Sequence, residues 1–443
     1  MVQNDEQQTN VYDVIGVGIG PFNLGMAALV EPVTNMKSIF FDENESFCWH
    51  PGMLIEEADL QVPFLADFVT FADPRSPYSF INYLHMHQRL YQFYFFQRFH
   101  IPRTEYNHYA QWVAEQLQNC QFGKRVVDVV DHSNEQSSYY EVVVEDTKTK
   151  SKETCRAKHL IIGTGSTPMV PEPLKDHLGN GVFHSSQYLN QIDEGVVGQS
   201  VLVVGSGQSA TEIVVDLLKR QEQQSFHIYW YTRSPAFFQL ESGKLGQEIF
   251  SPDYIDYFHA LPFEKRKQEL PNLQHLRNGV EEETLHALYD ELYHRSVGGK
   301  DTHVTIRSTI DVKEISFVDG KYQVDCEQWQ QEKEFNVYVD RVILATGYRP
   351  HIPNWIERLN GKIKWEDEHR FAVKRDYRLS FEDGVVHNVY MLTNLEHSHG
   401  PGATNLLLSV QRNITILNQI VGREVYPETR GTVFQSFGAT TGD

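Results

Sequence analysis

Three short stretches combine residue types and spacings that suit nucleotide chemistry. The first is Gly16-Val17-Gly18-Ile19-Gly20-Pro21-Phe22-Asn23, flanked by the apolar run from Val11 to Ile15 and by the helix-like run from Leu24 to Val30. Gly16 permits a tight turn, and Gly18 lets the backbone approach a diphosphate. The helix that follows offers free N–H groups and partial positive charge at its start. Pro21 stands where a third glycine is usual; proline is tolerated there because the first helical turn has no intrahelical use for its N–H. The next apolar strand, Ser38 to Phe41, ends in Asp42, well placed to accept hydrogen bonds from a ribose.

The second stretch repeats this grammar. Ser200 to Val204 runs into Gly205-Ser206-Gly207-Gln208-Ser209, then an apolar helix, then the strand His227 to Tyr231. Here the strand leads to Arg233 instead of an acid. An acid would favour NAD, whereas a basic residue favours the 2′-phosphate of NADPH. The third feature is a pair of apolar strands that close on glycine turns, His159 to Gly165 and Arg341 to Gly347. Two nucleotide sites without a dithiol between them imply a flavin and a nicotinamide, with molecular oxygen as the electron acceptor.

The elements that must position these turns suggest an α/β fold. It has two Rossmann-like dinucleotide-binding domains, for FAD and NADPH, and a small substrate-binding region. The expected division is residues 1–190 for the first part of the FAD domain and 191–344 for the NADPH domain with a substrate segment. Residues 345–443 return to the FAD domain and close the active site. The first ten residues read as a loose tail.

Composition narrows the function classes. The chain has 443 residues, 40% hydrophobic and 12% aromatic, and a formal net charge of −20. That charge argues against nucleic acid or an anionic membrane as partner. Cys48, Cys120, Cys155 and Cys326 are scattered, which fits a reducing compartment and disfavours both a zinc ribbon and a redox dithiol. The polar N-terminus is unlike a secretion signal, and no apolar run reaches the ~18 residues of a spanning helix. A cytoplasmic protein is expected. His397 and His399 lack a third ligand nearby, so no metal is expected.

Several longer motifs resemble the siderophore-associated N-hydroxylating flavin monooxygenases, the family of lysine, ornithine and diamine N-monooxygenases. They are the N-terminal turn, Phe47 to Leu54, Leu60 to Asp67, Asp73 to Leu84, and Ile101 to Tyr109 with Arg103. Gly205 to Ser209, Ala345 to Tyr348, His399-Gly400 and Leu406 to Ser409 complete the set. They span nearly the whole chain in the right order.

The resemblance implies that NADPH reduces FAD, O2 adds to give a C4a-hydroperoxyflavin, and a neutral primary amine attacks its distal oxygen. It also implies a dimer or tetramer. By position, FAD should meet Gly16 through Asn23, Asp42, Trp49, His50, Met53, Gln61, Arg103 and the backbone near Val127. Leu406, Leu407 and Leu408 should close over it. NADPH should meet Ser206, Gly207, Gln208, Ser209, Arg233, His294 and Ser296. His50 can be read as a base, but the family pattern makes it a flavin-packing residue; no catalytic acid or base is assigned.

One departure bears on the substrate. Family members that use ornithine or lysine carry a lysine five residues after the glutamine matching Gln61, where it holds the α-carboxylate. Here that residue is Ala66, and burying the carboxylate unpaired would cost several kcal/mol. Gln247 and His294 stand where ornithine enzymes use asparagines, and Glu248 and Ser409 complete the expected substrate set. The pattern looks like the branch acting on decarboxylated diamines, with putrescine ahead of cadaverine or diaminopropane. Lysine held by Arg233 or Lys244, and histamine, are the alternatives. Glu241, Glu248 and Asp67 are candidates for the distal ammonium. Rival classes are a disulfide reductase, for which Cys48 lacks a partner, a ketone- or sulfur-oxidising flavoprotein, and a redox sensor without turnover.

Overall fold

The computed structural model describes residues 11–132, 138–179, 181–192, 198–359, 362–383 and 387–439. The expected N-terminal tail lies outside them. Two parallel sheets organise the chain. The first is built on β1 (Val11–Val17), whose inner half is fully buried, with β2 (Ser38–Phe41), β3 (Cys120–Gln121) and β6 (Lys152–Ile162). Its parallel order is β3-β2-β1-β6, and Val389–Met391 adds to the far side of β6. The long β6 serves two partners. Its C-terminal half runs parallel to β1, while its N-terminal half joins an antiparallel meander with β4 (Lys124–Asp131) and β5 (Tyr140–Asp146).

Chain crosses between domains on a two-stranded bridge, β7 (Ser166–Pro168) against β16 (Tyr348–Pro350). Between them lie β8 (Val182–His184), β9 (Ser200–Val204), β10 (His227–Tyr231), β11 (Val304–Arg307) and β15 (Arg341–Leu344), all parallel in the order β11-β10-β9-β15-β8. An antiparallel meander, β12 (Ile310–Val318), β13 (Lys321–Gln328) and β14 (Lys333–Val339), packs beside them. The pairing of β8 with β15 places Val182–His184 with the second sheet, ahead of the edge expected at residue 190.

Helices cover these sheets. α1 (Pro21–Val30) is buried along nearly its whole length, between the first sheet and the C-terminal helix α12 (Leu407–Val421). An aromatic-rich layer follows in α2 (Phe80–Met86), α3 (Leu90–Phe96) and α4 (Arg103–Gln116). In the second domain, α5 (Tyr188–Ile192) precedes α6 (Gln208–Gln221), which packs beside α10 (Glu282–Arg295). The amphipathic α6 turns Ala210, Ile213, Val214, Leu217 and Leu218 inward at helical spacing. Between them, α7 (Lys244–Gln247), α8 (Pro252–Ala260) and α9 (Phe263–Glu269) lie in the stretch expected to serve the substrate. They lean on α11 (Glu396–His399) and on Leu408, which meets Phe250, Ile255 and Leu276 in a small apolar cluster. No described helix is long and apolar enough to cross a membrane.

Candidate active site

Both glycine turns have the same construction. Gly18 sits at φ +83°, and a Cβ there would lie 2.5 Å from the Gly163 carbonyl oxygen at the end of β6. Gly205 sits at φ +137°, where a Cβ would lie 2.3 Å from the Ala345 carbonyl oxygen beyond β15. In each domain the loop after a neighbouring strand is pressed against the turn, so a side chain is excluded by contact as well as by backbone conformation.

The next glycine of each turn does the opposite. Gly20 and Gly207 are the N-caps of α1 and α6, and neither helix start is capped by a side chain. A Cβ at either would meet nothing within 4 Å. Free helix N–H groups facing open space fit a diphosphate at both turns. Pro21 occupies the first turn of α1, as expected.

Asp42 closes the first turn. Its Oδ2 accepts the Ile19 N–H at 2.7 Å, and its Oδ1 accepts both the backbone and side-chain N–H groups of Asn44 at 2.8 Å. A carboxylate has about four acceptor positions, so one remains for a ribose hydroxyl. Val127 is the extra residue of a β-bulge, because Val126 pairs Val144 and Asp128 pairs Val143. A bulge leaves its backbone groups outside the ladder, which suits the backbone contact expected there.

Asn23 is fully buried, and its Nδ2 donates to the Val17 and Gly18 carbonyls at 3.2 and 2.7 Å. It therefore shapes the turn from behind. Phe22 is held by residues the sequence analysis missed: the Arg412 guanidinium lies 4.2 Å over its ring, and Asn413 Nδ2 donates to its carbonyl at 2.9 Å. Arg412 is buried with Nη1 bonded to the Leu392 and Ala403 carbonyls, and burial pushes its pKa down to about 10.

The Trp49 N–H donates to Asn107 Oδ1 at 2.8 Å, and its ring meets Tyr106 edge-on at 5.1 Å. His50 packs against Trp49 at 4.9 Å and Tyr348 at 5.8 Å, bridging toward the domain crossing. Part of its ring meets solvent, yet the protein around it, then the Arg103 charge, lowers its pKa to about 4. A base weakened in this way is poorly matched to an ammonium of pKa ~10. The packing role is the one the geometry supports. Gln61 is exposed, whereas Met53 is buried.

Several expected contacts are placed elsewhere. Arg103 is engaged internally, donating to the Met53 carbonyl at 2.9 Å and to both carboxylate oxygens of Glu212 at 2.9 and 2.6 Å. The Gln208 side chain staples α6 to α10, donating to Glu212 and Thr284 and accepting the Glu281 N–H. Its backbone, with Ser206, Gly207 and Ser209, is left to face a nucleotide.

His294 and Ser296 are displaced outright. α6 and α10 run side by side in the same direction: Gln208 meets Thr284 at their starts, and Arg295 meets Gln221 at their ends. Each helix has 14 residues, about 20 Å of rise, so His294 and Ser296 lie at the end remote from the Gly205 turn. Ser296 Oγ instead donates to the Tyr293 carbonyl.

Arg233 follows β10 with an exposed side chain, and Arg307 at the end of the paired β11 is exposed beside it. Two guanidinium groups at adjacent strand ends suit a phosphate; the second had no motif to announce it.

In the substrate segment, Gln247 donates to the Glu241 carbonyl, and Glu248 accepts the N–H groups of Phe434 and Gln435, both at 3.0 Å. Glu241 accepts the Gly243 N–H. Asp67 is buried and accepts from Val69, Thr70 and Phe80 backbone N–H groups and from the Thr70 hydroxyl. These bonds make Asp67 a loop staple and Glu248 an anchor for the C-terminal segment, not free partners for a distal ammonium.

Ala66 is 2% exposed. Leu408 is buried against Phe250, and Ser409 Oγ donates to the Leu406 carbonyl; Leu406 and Leu407 remain half-buried at the start of α12. His397 and His399 are buried and bonded to the Phe371 and Arg375 carbonyls, a structural use of both rings.

The family model for L-lysine 6-monooxygenase/L-ornithine 5-monooxygenase matches residues 10–350. A putrescine N-hydroxylase of Shewanella oneidensis is 36% identical over 434 residues, covering 98% of this chain and 85% of that protein. The FAD-bound cadaverine monooxygenase of desferrioxamine biosynthesis from Erwinia amylovora superposes with a TM-score of 0.92 at 36% identity, over 98% of this chain and all of that one. An ornithine N-hydroxylase of Kutzneria sp. 744, with reduced FAD, NADP+ and L-ornithine, gives 0.87 at 26% identity, over 93% of this chain and 99% of that one. With its paired glycine turns and these matches, the chain belongs to the L-lysine 6-monooxygenase/L-ornithine 5-monooxygenase family of FAD- and NADPH-dependent monooxygenases.

Proposed function

We propose that the enzyme N-hydroxylates one primary amine of a short aliphatic diamine, putrescine first and cadaverine next, for assembly of a hydroxamate siderophore. The observation that carries this reading is Ala66, buried at the position where the family resemblance implies a lysine in members that use lysine or ornithine. The next residue, Asp67, supplies no cation in its place, and its own acceptor positions are filled from the loop. A diamine has no carboxylate to hold. The printed activities of the Shewanella and Erwinia proteins, on putrescine and cadaverine, support the same substrate class.

Bound FAD and NADPH supply the hydride and oxygen chemistry. The chain's own residues bind and orient. The Gly18–Gly20 turn, the α1 N-terminus and Asp42 suit the flavin nucleotide, with the Val127 bulge at the sheet edge. The Gly205–Gly207 turn, the α6 N-terminus and Arg233 suit NADPH. The Arg103–Glu212 pair holds the two domains in register, which hydride transfer between cofactors requires. The cluster of Phe250, Ile255, Leu276 and Leu408 draws the substrate segment onto α12, and such closure keeps water from the reacting atoms. The reacting amine must be neutral, and a desolvated site favours its uncharged form.

The test is hydroxylamine product measured beside NADPH oxidation for purified FAD-loaded enzyme with putrescine, cadaverine, diaminopropane, histamine, lysine and ornithine. Coupled product from a diamine and none from lysine is expected. Equal product from lysine would overturn the reading of Ala66.

A further inference from the structure

Three arginines are buried among the described residues, and two of them are paired. Arg103 meets the Glu212 carboxylate at 2.6 Å, and Arg266 meets that of Glu366 at 2.9 Å. Arg412 on α12 is the most deeply buried, at 2% exposure, yet it meets no carboxylate among the described residues. Its Nη1 donates to the Leu392 and Ala403 carbonyls, while Nε and Nη2 have no hydrogen-bond partner. A guanidinium held this way is costly unless an opposite charge lies near it.

What Arg412 touches shows where that charge belongs. Its guanidinium lies 4.2 Å over the ring of Phe22, in the first turn of α1, and the adjacent Asn413 donates to the Phe22 carbonyl. The other ring in reach, Tyr377 at 6.0 Å, supplies no anion, because burial raises the pKa of its phenol. The α1 start, with its open Gly20 cap, is the anion site of the first domain. It is short of positive charge. Gly16 to Val30 contains no lysine or arginine, and Asp42 adds a negative charge beside Ile19. The α1 N-terminus offers roughly half a positive charge against about two negative charges on a diphosphate.

We propose that Arg412 is the buried counter-charge of the FAD diphosphate, acting from the α12 side of the flavin turn. The ligand completes the pair that Glu212 and Glu366 complete for the other two buried arginines. Inside the protein such a charge acts with little screening by solvent or salt. The proposal rests on FAD lying at the Gly18–Gly20 turn and is independent of which amine is oxidised.

FAD affinity, and the melting temperature with and without added FAD, test it in wild type, Arg412→Lys, Arg412→Gln and Gly20→Ala. Arg412→Gln keeps a donor for the two carbonyls but no charge, whereas Arg412→Lys keeps the charge. The FAD dissociation constant should rise at least about tenfold in Arg412→Gln, and the gain in melting temperature on FAD loading should shrink. Arg412→Lys should stay close to wild type in both. In wild type the affinity should change less than about threefold between low and high salt, a readout that does not depend on how the variants fold. An Arg412→Gln protein that melts lower with and without FAD, its FAD-dependent gain intact, would reduce Arg412 to a structural part and overturn the proposal. So would Arg412→Lys binding as weakly as Arg412→Gln, or a wild-type affinity that collapses in salt. Unchanged FAD affinity in every variant, Gly20→Ala included, would overturn the placement of FAD at the turn itself.

Discussion

Arg103 on α4 and Glu212 on α6 form a buried, two-pronged ion pair across the domain boundary, with N–O distances of 2.9 and 2.6 Å. The same guanidinium holds the Met53 carbonyl, and Glu212 also takes the Gln208 amide, so one cluster ties flavin-side loop, flavin-side helix and nucleotide-side helix together. Removing one member of such a pair leaves an uncompensated buried charge. Arg103→Met and Glu212→Leu should each destabilise by about 3–5 kcal/mol, and the double substitution by less than their sum. Urea unfolding of the four proteins checks this; strict additivity would deny the coupling.

The glycine turns separate folding from binding. Gly20→Ala and Gly207→Ala place a methyl in open space, so stability should change little, while FAD affinity falls for the first and NADPH KM rises for the second. Gly18→Ala and Gly205→Ala force φ of +83° and +137° and a clash with a carbonyl, so both should lower the melting temperature as well. Flavin release and thermal scans together distinguish the classes; normal FAD affinity in Gly20→Ala would contradict the assignment.

Arg233, exposed just after β10, is the residue expected to meet the 2′-phosphate of NADPH. Arg233→Ala should raise the NADPH KM at least about tenfold and leave that for NADH nearly unchanged, since a charge-assisted bond is worth about 1.5–3 kcal/mol. Arg307→Ala should act in the same direction. Equal losses with both coenzymes would move the phosphate site elsewhere.

Burial lowers the pKa of His159 to about 4, and of His399 well below the ordinary range. The unfolded chain binds these protons near pH 6.5, so it takes up more protons than the native state below that pH. Stability should therefore be full above pH 6.5 and decline as pH falls toward 4. The urea midpoint followed from pH 7.5 to 4 should drop, and His399→Gln should flatten the slope. A midpoint constant through that window would contradict the burial of neutral imidazoles.

What could be read in advance was local. Gly16 to Asn23 and Gly205 to Ser209 announce strand, turn and helix, so both glycine turns were legible. Arg103 and Glu212 are separated by 109 positions, and nothing near either names the other. Glu212 stands just past the second motif, on α6, without any sign of its partner. His294 and Ser296 were misplaced because the direction of α10 along α6 is set by packing, by Gln208 to Thr284 and Arg295 to Gln221. Glu248 and Asp67 carry charge in the expected places, but their use as backbone anchors depends on loops that only the folded chain brings together.

The most direct test of diamine N-hydroxylation is mass spectrometry of product formed under isotopically labelled dioxygen, with putrescine and with lysine in parallel. One labelled oxygen atom on the nitrogen of putrescine, in proportion to NADPH consumed, and no labelled lysine product, is the predicted result. Labelled peroxide alone with putrescine, or labelled hydroxylysine formed as readily, would contradict the account.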